Sequence, residues 1–594
     1  MPIEGDFRRK LGTACASCKR RKIRCDMSGS GPCSPCQRTG KTCEPHPYHA
    51  PSPLTKTHPR PTYHRLAPAD AEPGIAVRNP EEPANDTTRD ENLTAFYERG
   101  IGSSDWRVYH GEHVRVLYVG NATSNLHQLV ETSGTGNRLH YSYPPIKPAL
   151  PWRPAVEVCP NTYLNQANAQ DLSSLPAQDV RDALIDTYFG DIHPGFPIID
   201  QEHFRKQYAD AQNPPPLLLL HSMLLAAARI SDHPKVVRSR EAVTATLFRR
   251  AKTLFNMRYE NDRVHLVQSA LLLAWYDESS DTVGGGCYHW VGQATRIAFG
   301  LGMHRDLGTS SRSMMPDFDK REYRKCWWAV LQAEAFISLE FGRPGMIRYE
   351  DYDQPPLATT DFNNYSGSAD SSIQQEFCAI MSHLSEIALR IAALHSPRNM
   401  HEHLPNVAGD LADIEWRLPV GHDIWSCQIR MYYSFLKLTT YRARSSPEAS
   451  IICAESASTI LTTLETMAAR DQIRKCQLYF STALYAAAIQ FAQEVRSALL
   501  AGSKIRAVSA HAQLERTLHP AQLLAKYWPN AKALHKLCIS LSTKCLSMIH
   551  EAAAPDSDIS TNAINDLNWQ EIMGGTDWPD FDVNFDAGDW MNIS

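Results

Sequence analysis

The sequence predicts a mainly α protein in four parts: a small cysteine-rich module, a disordered Pro-rich linker, a large all-α domain and a disordered acidic tail. Three observations carry that prediction. Six of the 15 cysteines fall between positions 15 and 43. Apolar residues recur at helical spacing from about residue 176 to about residue 552, with few strand patterns competing. The remaining stretches are dense in proline or in acidic residues, and neither composition builds a core. At 594 residues the chain is too long for one compact unit. Its 43% hydrophobic and 21% charged content is ordinary for globular proteins, which excludes a wholly disordered, collagenous or coiled-coil chain.

The first element is expected over residues 10–48. Cys15, Cys18, Cys25, Cys33, Cys36 and Cys43 follow the spacing C-x2-C-x6-C-x7-C-x2-C-x6-C, two near-identical half-motifs. Arg8, Arg9 and Lys10 are followed by no apolar stretch, so no signal peptide is expected, and no run of about 18 apolar residues suggests a membrane span. A soluble, intracellular chain keeps its thiols reduced, so clustered cysteines point to metal rather than disulfides. Thiolates favour zinc, and C-x2-C lets two sulfurs reach one tetrahedral ion. Six sulfurs are too many for one zinc and too few for two unless two sulfurs are shared. No His lies inside the cluster. A segment this small has no apolar core, so the metal must supply its folding free energy.

Between the second and third cysteines runs Lys19-Arg20-Arg21-Lys22-Ile23-Arg24, five basic residues in six. Arg and Lys donate to guanine O6 and N7, or sit on phosphates. A knuckle for protein contact, or a metal store, has no use for that density of positive charge. The same run and Arg8-Arg9-Lys10 also form a two-part basic signal suited to nuclear import.

The run from Ala14 to Cys43 resembles the zinc binuclear cluster (Zn2Cys6) of fungal transcription factors. The basic run, the Cys25-Asp26 pair and Pro32 carry the likeness; the loop from Asp26 to Pro32 is short and rich in Gly and Ser. The resemblance implies two Zn2+ per chain held by the six cysteines, with Cys15 and Cys33 bridging. It implies that the first helix, beginning near Cys18, enters the major groove, and that Arg21 and Lys22 read a CGG triplet. Lys19, Arg20, Arg24, Arg38 and Lys41 are then expected on phosphates.

Residues 49–100 follow as linker. Ten prolines between Pro45 and Pro83 make an extended, semi-stiff tether. No apolar heptads precede residue 100, so dimerisation through a linker coiled coil is not expected. The chain is expected as a monomer, or as a dimer through the helical domain. Residues 101–175 read as a lead-in, with a short strand near residues 113–120 and a Pro-rich bridge from 143 to 160.

The helical domain is expected over residues 176–552. Val180, Leu184 and Tyr188 share a face before His193-Pro194 stops the helix. Further helices are expected near residues 215–232, 238–259, 263–277, 288–302, 319–340, 373–397, 422–444, 450–468, 474–500, 509–527 and 529–552. The run from His193 to Asp200, the Leu224–Arg229 segment with His233-Pro234, and Trp290, Gly292 and Leu301 to Asp306 resemble, in that order, the fungal-specific transcription factor domain. Arg324 to Trp328 and Gly342-Arg343-Pro344 continue the likeness. It implies a regulatory domain that restrains activation until an inducer or partner acts, with an inducer or a repressor as the partner expected at the helical domain.

Arg296, on a helix of small and apolar neighbours, is expected to pair with a carboxylate inside the bundle. His304-Arg305-Asp306 reads as a structural corner, and Trp327-Trp328 as core. Gly284-Gly285-Gly286 reads as a flexible turn rather than an anion cradle. The nine dispersed cysteines read as small buried hydrophobes. No G-x-S-x-G, H-E-x-x-H or Walker sequence is present, and no catalytic residue is assigned. An enzyme would need a polar constellation that the sequence does not supply.

Residues 553–594 are expected as an acidic aromatic activation tail. From Glu551 to Ser594 there are ten acidic residues and no Lys or Arg, with Trp578, Phe581, Phe585 and Trp590 interleaved as anchors for a coactivator or the general transcription machinery. The resulting expectation is a nuclear regulator of RNA polymerase II transcription, an activator at CGG-containing duplex DNA, with no membrane partner. A repressor or partner-dependent co-regulator using the same DNA module is the alternative. The formal net charge of -5 conceals the layout: residues 1–50 carry ten basic and four acidic residues, while residues 551–594 carry -10.

Overall fold

In the computed structural model the described residues are 15–20, 25–26, 32–40, 42–43, 115–118, 140–143, 166–260, 262–276, 286–307, 315–394, 407–442, 444, 446–477 and 480–552. The chain divides into two compact units, Met1–Pro80 and Glu81–Ser594. The first holds two one-turn helices, α1 (Ala16–Arg20) and α2 (Ser34–Arg38). Its buried apolar groups are cysteine side chains and nothing else among the described residues.

The second unit is helical. A two-stranded antiparallel ribbon, β1 (Arg115–Tyr118) with β2 (His140–Tyr143), supplies the only strands among the described residues, with Arg115 opposite Tyr143. The expected strand near 113–120 is β1; its partner lies in the lead-in just ahead of the Pro-rich bridge, where no strand is expected. Helices then run α3 (Gln166–Ser173), α4 (Gln178–Thr187), α5 (Gln201–Ala209), α6 (Leu217–Ile230), α7 (Pro234–Arg238), α8 (Arg240–Asn256) and α9 (Arg263–Leu273). They continue as α10 (Cys287–Leu301), α11 (Asp317–Phe341), α12 (Gln375–Leu394), α13 (Val407–Glu415), α14 (Ile424–Arg442) and α15 (Pro447–Ala469). The last four are α16 (Phe480–Leu500), α17 (Lys504–Arg516), α18 (Leu518–Leu524) and α19 (Pro529–Glu551). The chain is mainly α, as the apolar periodicity predicts.

Consecutive helices pack on one another, α6 on α8 and α9, α9 on α10, and so on through α11, α12, α14, α15 and α16, around one continuous core. Their ends obey local chemistry. Asp200 accepts from the His203 amide at 2.7 Å and Asp262 from the Val264 amide at 2.8 Å, each satisfying an orphan donor at a helix start. Gly302 (φ 69°) and Gly342 (φ 59°) end α10 and α11 in the left-handed region that side chains resist. All fourteen residues of α6 are buried, His221 and Arg229 included. α12 is long and apolar enough to cross a bilayer, yet 61% of its apolar window is buried inside the fold, where it packs on α11 and α14.

The segment from His193 to Asp200 is buried throughout and acts as a hub. The Gln374 amide donates to the Pro194 carbonyl at 2.8 Å, and Gln477 Nε2 donates to the Gly195 carbonyl at 3.1 Å. A Cβ on Gly195 would lie 2.3 Å from the Trp425 ring and 2.9 Å from the Phe377 ring, so no larger residue fits.

Several expectations change. Arg296 lies on the exposed face of α10 and not inside the bundle, because its neighbours Ala294 and Ala298 take the buried face. The stretch read as one helix over 509–527 is two, α17 and α18, parting at Thr517, whose amide and hydroxyl both turn back to the Leu514 carbonyl. α3, α5, α7 and α13 have no counterpart in the periodicity, and α3 lies inside the stretch expected as lead-in.

Other readings hold. Arg305 pairs with Asp353 at 2.9 Å, and Gln354 donates to the Met303 and Arg305 carbonyls, making His304-Arg305-Asp306 a structural corner. Trp327 and Trp328 are core, the latter donating to the Pro355 carbonyl at 2.9 Å. Eight of the dispersed cysteines are buried, and burial pushes the Cys538 and Cys545 thiols up to about 11, which leaves them inert. Cys159, Gly284 and Gly285 lie outside the described residues.

Candidate metal centre and nucleic-acid interface

Each C-x2-C opens a helix. Cys15 precedes α1 and Cys18 lies one turn in; Cys33 caps α2 and Cys36 lies one turn in, with Pro35 fitting the first turn, where no amide partner is needed. One helical turn brings the two sulfurs of each pair to one side. The two half-motifs then repeat the same local bonds. The Cys15 amide donates to Cys25 Sγ at 3.4 Å, and the Cys33 amide donates to Cys43 Sγ at 3.2 Å. The Cys18 amide donates to Cys15 Sγ at 3.3 Å. Amides aimed at sulfur favour the charged thiolate over the thiol.

Six sulfurs gather into two groups of four. Cys15, Cys18, Cys25 and Cys33 form one, and Cys15, Cys33, Cys36 and Cys43 the other, with all ligand atoms within 4.8 Å in each. The groups share one edge, Cys15 Sγ to Cys33 Sγ, at 3.7 Å. One further edge in each group runs from Cys18 Sγ to Cys33 Sγ at 3.5 Å and from Cys15 Sγ to Cys36 Sγ at 3.6 Å, respectively. A tetrahedron of sulfurs about 2.3 Å from a zinc ion has edges of about 3.8 Å. The donor set therefore fits two tetrahedral ions sharing two thiolates. Without cations the crowding is unfavourable: burial pushes the Cys18 thiol up to about 12, and burial raises Cys33 as well.

The Cys25-Asp26 pair has a role beyond ligation. Asp26 accepts from the Ser34 amide at 2.9 Å and from its hydroxyl, closing the first half-motif onto the start of α2. These bonds, the Ser34 hydroxyl first, hold its carboxyl below the usual carboxylate range.

The basic residues are placed in part. Arg20, at the end of α1, and Arg38, in the last turn of α2, are exposed and free to face a polyanion. The backbone of Lys19 lies in α1. The Lys19 side chain and Arg21, Lys22, Arg24 and Lys41 lie outside the described residues, as do the tail anchors Trp578, Phe581, Phe585 and Trp590 and the basic run Arg8-Arg9-Lys10.

The profile of the fungal Zn(2)-Cys(6) binuclear cluster domain matches residues 13–49, and that of the fungal specific transcription factor domain matches residues 185–418. The acetamidase regulatory protein of Aspergillus fumigatus is 29% identical, over 90% of this chain and 78% of that protein. The acetamidase regulatory protein of Emericella nidulans is 28% identical, over 88% of this chain and 76% of its own length. The cutinase transcription factor 1 alpha of Fusarium vanettenii is 28% identical, over 82% of this chain and 60% of its own length. Both the domains and the relatives are those of transcription factors rather than enzymes.

Proposed function

From a chain that carries the two-domain architecture of fungal zinc-cluster transcription factors, we propose a nuclear activator of RNA polymerase II transcription that recognises CGG-containing duplex DNA. The observation that carries this reading is the pair of sulfur tetrahedra sharing the Cys15–Cys33 edge. Zinc, when bound, supplies the cross-links that fold a segment with no apolar core. The chain's own residues do the rest. α1 presents its basic face to the major groove, with Arg21 and Lys22 donating to guanine O6 and N7. Lys19, Arg20, Arg24, Arg38 and Lys41 sit on phosphates and fix the register. The helical domain sets activity, and the acidic tail engages a coactivator through Trp578, Phe581, Phe585 and Trp590. The printed names of the relatives, regulators tied to acetamidase and cutinase, support a catabolic gene set as the target.

The test selects randomised duplexes with the zinc-loaded full chain and two variants. The parent chain should enrich a CGG triplet. Lys22→Ala should relax preference at that triplet roughly 5- to 150-fold, the range of one good base contact. Arg20→Ala should weaken all sequences alike and flatten the salt dependence by about one unit. No triplet enrichment by the parent chain overturns the CGG reading, and a uniform loss with Lys22→Ala recasts Lys22 as a phosphate contact. Residues 551–594 fused to a neutral DNA-binding module should activate a reporter; silence there counts against the activator.

A further inference from the structure

Large apolar side chains left in water are scattered singly over most soluble folds and need no partner. Here they gather. Of the eleven exposed among the described residues, five are Leu500, Ile505, Val508, Ile539 and Leu546, at 52, 86, 54, 44 and 39% exposure. They belong to the end of α16 and the outer faces of α17 and α19. Helix packing brings them to one side. Thr517 lies against Cys538, and His511 Nε2 donates to the Ser542 carbonyl at 3.0 Å. Contacts climb α19 as they descend α17, so the two helices are antiparallel. Ile505 and Val508, at the start of α17, therefore stand level with Leu546, near the end of α19. Leu500 joins them through the short connection 501–503.

The same region is basic. Residues 496–550 carry eight Lys or Arg against a single acid, Glu515, a formal charge of +7 in a chain whose total is -5. Lys532, Lys536, Ile539, Thr543 and Leu546 recur every three or four residues, so they form one stripe of α19, which is turned to water. Lys532 is paired with Glu241, and Arg516 with Glu465. Lys504 and Lys536 have no carboxylate partner among the described residues. An apolar strip edged by unpaired lysines fits an acidic segment that carries large apolar anchors. A second copy of this face would bring like charges together, and a DNA backbone has nothing to cover five apolar side chains.

The chain itself supplies such a segment. Residues 551–594 carry -10. Trp578, Phe581 and Phe585 fall at i, i+3 and i+7, the spacing by which one helical face offers anchors to a groove. Asp577, Asp580, Asp582 and Asp586 stand beside them in sequence. The reach is sufficient. α19 has 23 residues, about 34 Å at 1.5 Å per residue. Trp578 follows Ala552 by 26 residues. A coil of that length spans about 25–30 Å, and about 85 Å at full extension. Ala552 lies at the Leu546 end of α19, so the anchors can turn back onto Ile505, Val508 and Leu546. A tether also sets an effective concentration of about millimolar, at which weak contacts suffice to hold the segment.

We propose that the face formed by Leu500, Ile505, Val508, Ile539 and Leu546 is the docking site of this chain's own acidic aromatic segment, residues 577–590. Trp578, Phe581 and Phe585 cover the apolar strip, and Lys504 and Lys536 meet the flanking carboxylates. The face lies beyond residue 418, where the match to the fungal specific transcription factor domain ends, so that profile does not describe it. The docking rests on exposure, charge and reach alone. One consequence rests also on the reading of residues 551–594 as an activation tail: rings covered by α17 and α19 are withheld from a coactivator.

The test uses the full zinc-loaded chain with Phe585→benzoylphenylalanine, irradiated and then mapped by mass spectrometry. Cross-links should concentrate in residues 500–546 of the same chain. Ile505→Ser with Val508→Ser should cut their yield at least five-fold, as should Lys504→Glu with Lys536→Glu. Val237→Ser, at an exposed apolar residue elsewhere, should not. All five positions are exposed, so an unchanged thermal midpoint is expected in each variant. Cross-links spread evenly over the helical unit overturn the proposal, as does a yield that neither pair of substitutions lowers. Cross-linked dimers on a denaturing gel overturn it in favour of a second copy. Should one pair of substitutions unfold the chain, the other pair decides alone. In a reporter driven by the full chain, Ile505→Ser with Val508→Ser should raise activation at least two-fold. Unchanged activation alongside lost cross-links removes the coactivator consequence and leaves the docking site standing.

Discussion

At the scale of single residues, burial decides what a polar side chain does, and sequence alone gives burial poorly. His221 and Arg229 both interrupt the most apolar run of the chain, and sequence treats them as interruptions. Both prove fully enclosed. Arg296 goes the other way: its small neighbours suggested enclosure, but it faces outward. The difference is angular, since residues two apart on a helix point to nearly opposite sides. His221 has a measurable consequence. Its Nε2 lies 3.0 Å from the Leu172 carbonyl, and burial, with Arg250 adding to it, depresses its pKa to about 4 against an ordinary 6.5. Between these values the unfolded chain binds a proton that the folded chain refuses. Stability contributed by the neutral imidazole is complete above pH 6.5 and is lost as pH falls toward 4, a change of about 3 kcal/mol. His221→Gln, which keeps a donor for Leu172, should flatten the stability slope by that amount in this window. Denaturant unfolding at pH 6.5 and 4.5 measures it, and equal slopes in the two proteins would remove His221 from the account.

At the scale of elements, legibility follows the length of the apolar stripe. α6, α10, α11, α12, α14 and α15 each bury a long face, and their repeat marks them in sequence to within a few residues. α5 buries only Phe204 and leaves no stripe to read. The break at Thr517, by contrast, is marked in the sequence by Pro520, which has no amide to continue α17 and sits in the first turn of α18. The shortest elements, α1 and α2, are invisible to periodicity but dictated by cysteine spacing. Five residues cannot hold a helix in water, so the sulfurs must hold both. The shared edge makes them interdependent: removing one terminal ligand strips a tetrahedron in which two of the three remaining corners also serve its neighbour. Cys25→Ala should therefore reduce bound zinc from two per chain to at most one and abolish duplex binding. A chromogenic zinc assay after proteolysis reads the count, and two zinc retained would take Cys25 out of the ligand set.

At the scale of the whole molecule, charge and core separate the same way. The basic residues that concern DNA lie in the first 50, the acid surplus in the last 44, and the helical body between them is close to neutral. Among the described residues, the core of the first unit is cysteine alone, and that of the second is the continuous apolar core running from Leu172 to Ala552. Sequence displayed this division because metal-ligand spacing and helical periodicity are independent signals. It could not display the face that Ile505 and Val508 share with Leu546, which comes from the antiparallel packing of α17 on α19. The division leads to a final expectation. Stability of the first unit comes from zinc, and that of the second from apolar burial, so a chelator should act on one and spare the other. Treating the full chain with a strong zinc chelator should abolish duplex binding. The main thermal transition by far-ultraviolet circular dichroism should stay within about 2 °C, because the helical unit draws nothing from the metal. Readdition of two equivalents of zinc should restore duplex binding. A fall of the main transition by more than about 5 °C, the size expected for a loss of a kcal/mol or more in a large domain, would mean that the helical unit also depends on the metal.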